Sequence, residues 1–184
     1  RETFGVLNGV QRQNWRSLLG VPVDFSSVPQ RAFKVPEFKM VDTWINAPPL
    51  TMAQFEGKVV VVHFYTYGCI NCVRNLPHYN DWDRRYATRG VQVIGIHRPE
   101  SPGESHIESV KKKAADAAIQ YPVAVDNEAA NWNAWGTRVW PSVYLVDKQG
   151  FVRYWWYGEL NWQDTPGEAW MRARIEALLQ EPAS

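Results

Sequence analysis

The sequence predicts an α/β fold in which a mixed central sheet is flanked by helices, and three observations lead there. The apolar run Val59-Val60-Val61-Val62-His63-Phe64-Tyr65 reads as a strand buried on both faces. A helical pattern over residues 70–88 and a second apolar run over residues 91–96 follow it, an order that makes the two strands parallel neighbours joined by a right-handed crossover. Late in the chain, residues 142–146 and 151–157 flank Asp147-Lys148-Gln149-Gly150, the spacing and composition of an antiparallel hairpin. Parallel and antiparallel pairs together make the sheet mixed.

The remaining elements follow in chain order. Residues 1–35 lack sustained periodicity and contain Pro22 and Pro29, so they read as an N-terminal extension with one short helix around residues 11–19, packed on or leading into a domain over residues 36–184. Residues 38–44 resemble a short edge strand, followed by a turn at Pro48-Pro49 and a helical turn over residues 51–55. In the 70–88 helix, Cys72, Leu76, Tyr79, Trp82 and Tyr86 recur at three- and four-residue spacing on one face, with Pro77 expected to kink it and Gly90 to end the segment. A helix over residues 104–118 presents Ile107, Val110, Ala114 and Ala117. A short strand at 123–125 and a polar helical stretch at 127–135 come next. Thr165-Pro166-Gly167-Glu168 reads as a capping box opening a last helix, whose Met171, Ile175 and Leu178 point inward. Trp155, Trp156, Tyr157, Trp162 and Trp170 read as core and strand aromatics, with an exposed aromatic groove as the other reading.

With 184 residues, 45% hydrophobic content and a net charge of +1, the chain is long enough for one well-buried domain and carries no basic surface suited to nucleic acid. Its one basic run, Lys111-Lys112-Lys113, falls where a helix would present a solvated face. No apolar stretch approaches the roughly twenty residues that span a bilayer. The chain opens on Arg1 rather than Met, and the expectation is that a signal peptide or membrane anchor once preceded it.

The chemistry concentrates at two cysteines, the only two in the chain, at Cys69 and Cys72, where the first buried strand gives way to a helix. A helix N-terminus offers unsatisfied N–H groups and the positive end of the dipole, both of which favour a thiolate, so Cys69 is the expected nucleophile and Cys72 its partner. No metal is expected: two cysteines would need His63, His78, His97 or His106 to complete a site, and none stands at ligand spacing. A purely structural disulfide is a weak alternative, because closing so short a loop removes little unfolded-chain entropy. A reversible dithiol needs no cofactor beyond its own Cys69–Cys72 disulfide. His63, six residues before Cys69, is a candidate for moving the Cys72 proton, its alternative being a satisfied core histidine. Since parallel strands end at one sheet edge, His97 and the residues after it should reach the same end as Cys69, lining the site or forming a solvated loop.

The Cys-x-x-Cys pair after a buried strand, Pro77 five residues beyond it, and Trp140-Pro141 opening the hairpin together resemble the thioredoxin-like fold. Val41-Asp42-Thr43-Trp44, Gly57-Lys58-Val59-Val60 and the cysteines resemble the extracytoplasmic thiol:disulfide oxidoreductases of the TlpA/ResA type. Tyr65-Thr66-Tyr67-Gly68-Cys69-Ile70-Asn71-Cys72, with Arg74, Leu76 and Pro77, is most similar to the Cys-Ile-Asn-Cys subgroup of DipZ-like proteins and NHL-repeat-linked thioredoxin domains. The resemblance implies that Cys69 attacks and Cys72 resolves. It also implies that Pro141 is a cis-proline against the pair, with Trp140, Pro141, Tyr67, Gly68 and His97 bordering a substrate groove. It implies protein thiols or disulfides as substrates, an upstream redox partner, a reductive direction, and a periplasmic or secreted location. The sequence departs from the pattern at His63, where many thioredoxins carry a buried aspartate, at Asn75, where an acidic residue can stand, and at Tyr67-Gly68, where tryptophan usually precedes the first cysteine. Two other functions fit: a redoxin-type peroxidase, for Thr66 lies three residues before Cys69, and a non-catalytic binding module that uses the aromatics.

Overall fold

The computed structural model describes residues 8–11, 33–41 and 43–182. The chain divides into two units, Arg1–Arg31 and Ala32–Ser184. In the first, Asn8 and Gln11 exchange 2.9 Å hydrogen bonds between side chain and backbone. The helix expected at residues 11–19 lies, beyond Gln11, outside the described residues.

In the second unit seven strands form one sheet: β1 (Phe33–Lys34), β2 (Trp44–Ile45), β3 (Val59–Tyr65), β4 (Val91–His97), β5 (Val123–Val125), β6 (Ser142–Val146) and β7 (Phe151–Tyr157). Their spatial order is β1-β7-β6-β3-β4-β5-β2. β3 runs parallel to β4 and β4 to β5, while β3–β6, β6–β7, β1–β7 and β2–β5 are antiparallel. Every residue of the central β3 is buried. Its alternate residues feed two cores: Val59, Val61 and Tyr65 join the buried faces of α1 (Ile70–Tyr86), α2 (Ile107–Asp116) and α4 (Gly167–Gln180), while Val60, Val62 and Phe64 pack with Ile94, Ile96 and Tyr144. The expected inward faces are buried, Leu76, Tyr79, Trp82 and Tyr86 on α1 and Met171, Ile175 and Leu178 on α4. Pro77 lies inside α1.

Three expectations need correction. The edge strand is Trp44–Ile45 alone rather than residues 38–44, because Met40 takes a left-handed φ of 49° and the Lys39 backbone bonds Asn131 instead of a strand. Phe38 packs edge-on against Trp44 at 4.9 Å. Thr165 does not cap α4: its hydroxyl donates to the Trp162 carbonyl, and the Glu168 N–H donates to Asn161 Oδ1, leaving the Glu168 carboxylate for Trp82 Nε1 at 3.0 Å. The late aromatics divide: Trp156 packs against the core from β7, while Trp155 on β7, Trp162 in the turn after it and Trp170 on α4 are 57%, 52% and 55% exposed.

Candidate active site

Cys69 is the N-cap of α1, with extended backbone, and its sulfur accepts the Cys72 N–H at 3.4 Å. Both cysteines are free thiols, Cys69 half-buried and Cys72 buried. Burial pushes the Cys72 thiol far up, as does its hydrogen bond to the Cys69 sulfur, against a smaller opposing effect from the Thr66 backbone. The half-buried Cys69 sulfur thus has the Cys72 N–H as a donor, while burial favours the neutral form of Cys72.

The turn before Cys69 is pinned from two sides. The Cys69 N–H reaches the Thr66 carbonyl at 3.4 Å. The Thr66 hydroxyl donates to the Glu104 carboxylate, which also accepts the Glu100 N–H at 3.1 Å and the Ser101 hydroxyl at 3.0 Å. Burial alone would raise the Glu104 pKa, but these hydrogen bonds outweigh it and hold the carboxyl below its ordinary value. A Cβ at Gly68 would stand 2.5 Å from Glu104 Oε1, so a larger residue there would displace the end of that side chain from its hydrogen bonds. The Tyr67 hydroxyl donates to the Gly103 carbonyl at 3.0 Å, and its ring stacks on His97 at 5.4 Å. His97 pairs with Tyr65 across the parallel strands, so the ends of β3 and β4 do meet beside the dithiol. It is fully buried, and desolvation lowers its pKa to about 4.

Beneath Cys72 the floor is made of tyrosines. Tyr65 and Tyr79 are buried, their pKa values raised first by burial and then by the charge a Cys72 thiolate would bring. Asn75 Nδ2 donates to the Tyr79 hydroxyl and to the Gly158 carbonyl, both at 3.2 Å, and its Oδ1 accepts the Leu160 N–H at 2.9 Å. The amide thus ties α1 to the loop after β7, and an ionised carboxylate, an acceptor only, could not donate to the Gly158 carbonyl. His63 stacks on Tyr79 at 4.2 Å, and its Nε2 lies 3.0 Å from the Tyr121 hydroxyl. Gly95 leaves room for it, since a Cβ there would sit 3.1 Å from His63 Nε2. Full burial lowers the His63 pKa to about 3, which corrects the expectation of an imidazole titrating near neutrality. Its hydrogen bond and ring contacts join tyrosines and not the cysteines.

Trp140 and Pro141 are joined by a cis peptide bond, Pro141 buried and Trp140 half-buried, and Trp140 packs on the same core cluster as Cys69. Trp140 stacks on Trp132 at 4.2 Å, and the Arg98 guanidinium lies 5.3 Å from the Trp140 ring and 5.8 Å from the Trp132 ring. Three surface cavities, of about 280, 430 and 290 Å³, are lined by neither cysteine. Ile70 and Val73 beside the dithiol are 61% and 40% exposed. The described residues contain no cluster of His, Cys, Asp and Glu able to hold a metal.

Glu104, Tyr121 and Trp132 were not singled out by the sequence reading. Glu104 had a signal, for Ser101-Pro102-Gly103-Glu104 has capping-box spacing. Tyr121 and Trp132 reach the site only through tertiary packing and had none.

The AhpC/TSA family profile matches residues 32–155. The chain belongs to the AhpC/TSA family. Among curated proteins it is 40% identical to Protein DipZ of Mycobacterium tuberculosis over 133 residues, 71% of this chain and 19% of that protein, so it spans about a fifth of that relative. It is 28% identical to the thiol-disulfide oxidoreductase YkuV of Bacillus subtilis over 121 residues, 65% of this chain and 80% of that one. Among solved structures, a thioredoxin-like superfamily protein superposes with a TM-score of 0.74 at 28% identity, covering 83% of this chain and all of that one. The fold is thioredoxin-like, a mixed sheet flanked by helices.

Proposed function

We propose that this domain is a thiol-disulfide oxidoreductase that reduces protein disulfides through Cys69 and Cys72, outside the cytoplasm. The observation that carries the reading is the asymmetry of the pair: a half-buried sulfur at a helix N-terminus that accepts the Cys72 N–H, beside a buried thiol whose pKa burial drives up. The Cys69 thiolate attacks one sulfur of a substrate disulfide, forming a mixed disulfide and releasing the other sulfur as a thiolate. That leaving thiolate takes up a proton. Cys72 then gives up its own proton, attacks Cys69 Sγ and closes the Cys69–Cys72 disulfide, freeing the second substrate thiol. Two electrons pass from the pair to the substrate, and an upstream dithiol partner returns them, so no further cofactor is required.

A half-buried dithiol flanked by exposed Ile70 and Val73 suits a polypeptide better than a small molecule; Trp140, Pro141, Tyr67 and Gly68 border the approach, while His97, fully buried, backs the Tyr67 ring rather than touching substrate. The extracytoplasmic location rests on resemblance to the TlpA/ResA type, and the naming of YkuV as a thiol-disulfide oxidoreductase supports the activity. His63, neutral and held by Tyr121, acts by fixing the tyrosine floor under Cys72. The test is equilibration with a glutathione redox buffer beside a hydrogen peroxide assay. Two-electron exchange at Cys69–Cys72 without peroxide turnover is expected. Faster turnover of peroxide than of disulfide would assign a peroxidase instead, and no exchange at all would leave a binding module.

A further inference from the structure

Arg98 stands without a counter-ion at the sheet edge where β3 leads into the dithiol turn. Its amide donates to the Tyr65 carbonyl at 3.0 Å, which fixes it one residue beyond the paired ends of β3 and β4. Its side chain leaves the strand half-buried against the two stacked indoles, and Trp140 is the residue that precedes Pro141. Among the described residues no carboxylate forms an ion pair with it; its guanidinium donates to the Pro99 carbonyl, and its buried Nε has no hydrogen-bond partner. Glu100, two residues on, makes no ion pair with it among the described residues, and two other acids of this end of the sheet are engaged elsewhere. Glu104 binds Thr66, Ser101 and the Glu100 amide, and Asp126 caps α3 (Ala130–Ala134) by accepting the Asn131 and Trp132 N–H groups. Exposed Arg138 stands with Trp132 on the rim of the adjoining 290 Å³ cavity and adds charge of the same sign.

A guanidinium that is half desolvated, stacked on aromatic faces and short of an acceptor holds its donor fork ready for a carboxylate. We propose that Arg98, set against Trp132 and Trp140 at the sheet edge that leads into the dithiol turn, receives an acidic side chain of the substrate polypeptide, so that the domain prefers disulfides whose cysteine is flanked by Asp or Glu. The inference rests on the oxidoreductase reading above and adds the substrate's chemistry to it. Trp132 and Trp140 hold the guanidinium against rotation, and the same indoles offer the flanking backbone an apolar wall.

The test compares disulfide-linked peptides of one length that carry Glu, Gln or Lys beside the cysteine, reduced by the wild-type domain and by Arg98 variants. Wild type should exchange with the Glu peptide about tenfold faster in kcat/KM than with the Gln peptide, the factor one charge-assisted hydrogen bond carries. Arg98→Gln should bring that ratio close to one, and Arg98→Glu should turn the preference toward the Lys peptide, an inversion that a damaged fold would not produce. Raised ionic strength should compress the wild-type ratio. Equal wild-type rates with all three peptides, or a preference that Arg98→Glu leaves in place, would overturn the inference while leaving the oxidoreductase reading intact. No exchange with any peptide would overturn both.

Discussion

Glu104 binds the loop after β4 to the turn that presents Cys69, accepting from Thr66, Ser101 and the Glu100 amide. Its removal leaves the buried Thr66 hydroxyl with only His97 Nε2, 3.5 Å away. Glu104→Ala should therefore destabilise the domain by about 1–3 kcal/mol, as expected when one acceptor serves several donors, measured as a shifted denaturant midpoint at constant slope. The conservative Glu104→Gln should restore part of that loss. An unshifted midpoint in Glu104→Ala would show that the turn stands without it. Because Thr66 spends its hydroxyl on Glu104, that hydroxyl is not free to orient a peroxide at Cys69, which sets this site apart from the peroxidase alternative.

At the scale of elements, α1 does two jobs on two faces. Leu76 lies on the buried face, and Leu76→Ala should cost about 2–5 kcal/mol through lost burial and the cavity left behind. Ile70 in the first turn is exposed, so Ile70→Ala should change stability by less than about 0.5 kcal/mol yet slow exchange with a protein disulfide. A comparable slowing with a small disulfide such as oxidised glutathione would count against a docking role. This division of labour was readable in advance, because three- and four-residue spacing gives the buried stripe and the dithiol marks the N-terminus. β3, β6 and β7 were equally plain, their apolar runs and turn residues agreeing with one register. What escaped was set by particular side chains bonding backbone outside their own element. The 38–44 strand shrank because Asn131, far along the chain, takes the Lys39 backbone. The Thr165 cap failed because Asn161 supplies the bond instead. His63 was placed correctly on its strand, but the ring of tyrosines that desolvates it was invisible in the local sequence.

For the whole molecule, those buried histidines set the response to acid. His63 and His97 have folded pKa values lowered to about 3 and about 4 by burial, against an ordinary 6.5. Below pH 6.5 the unfolded chain takes up protons that the folded one refuses. The stability these rings contribute is therefore complete above pH 6.5 and is lost as pH falls toward 4 and then 3. Each histidine adds a slope of at most about 1.4 kcal/mol per pH unit in that window. Thermal unfolding between pH 7 and pH 4 should fall steadily, and His97→Gln should flatten the curve; an unchanged slope in that variant would place the acid sensitivity elsewhere.

All of these features serve one arrangement, a half-buried Cys69 sulfur backed by a fully buried Cys72 that favours its protonated form. Covalent trapping tests it most directly. Cys72→Ser and Cys69→Ser domains are each incubated with a disulfide-bonded protein and analysed by intact mass without reductant. Cys72→Ser should accumulate a stable mixed disulfide at Cys69, and Cys69→Ser should carry none. Adducts in equal yield on both variants, or a faster reaction at Cys72, would contradict the assignment of nucleophile and resolving thiol.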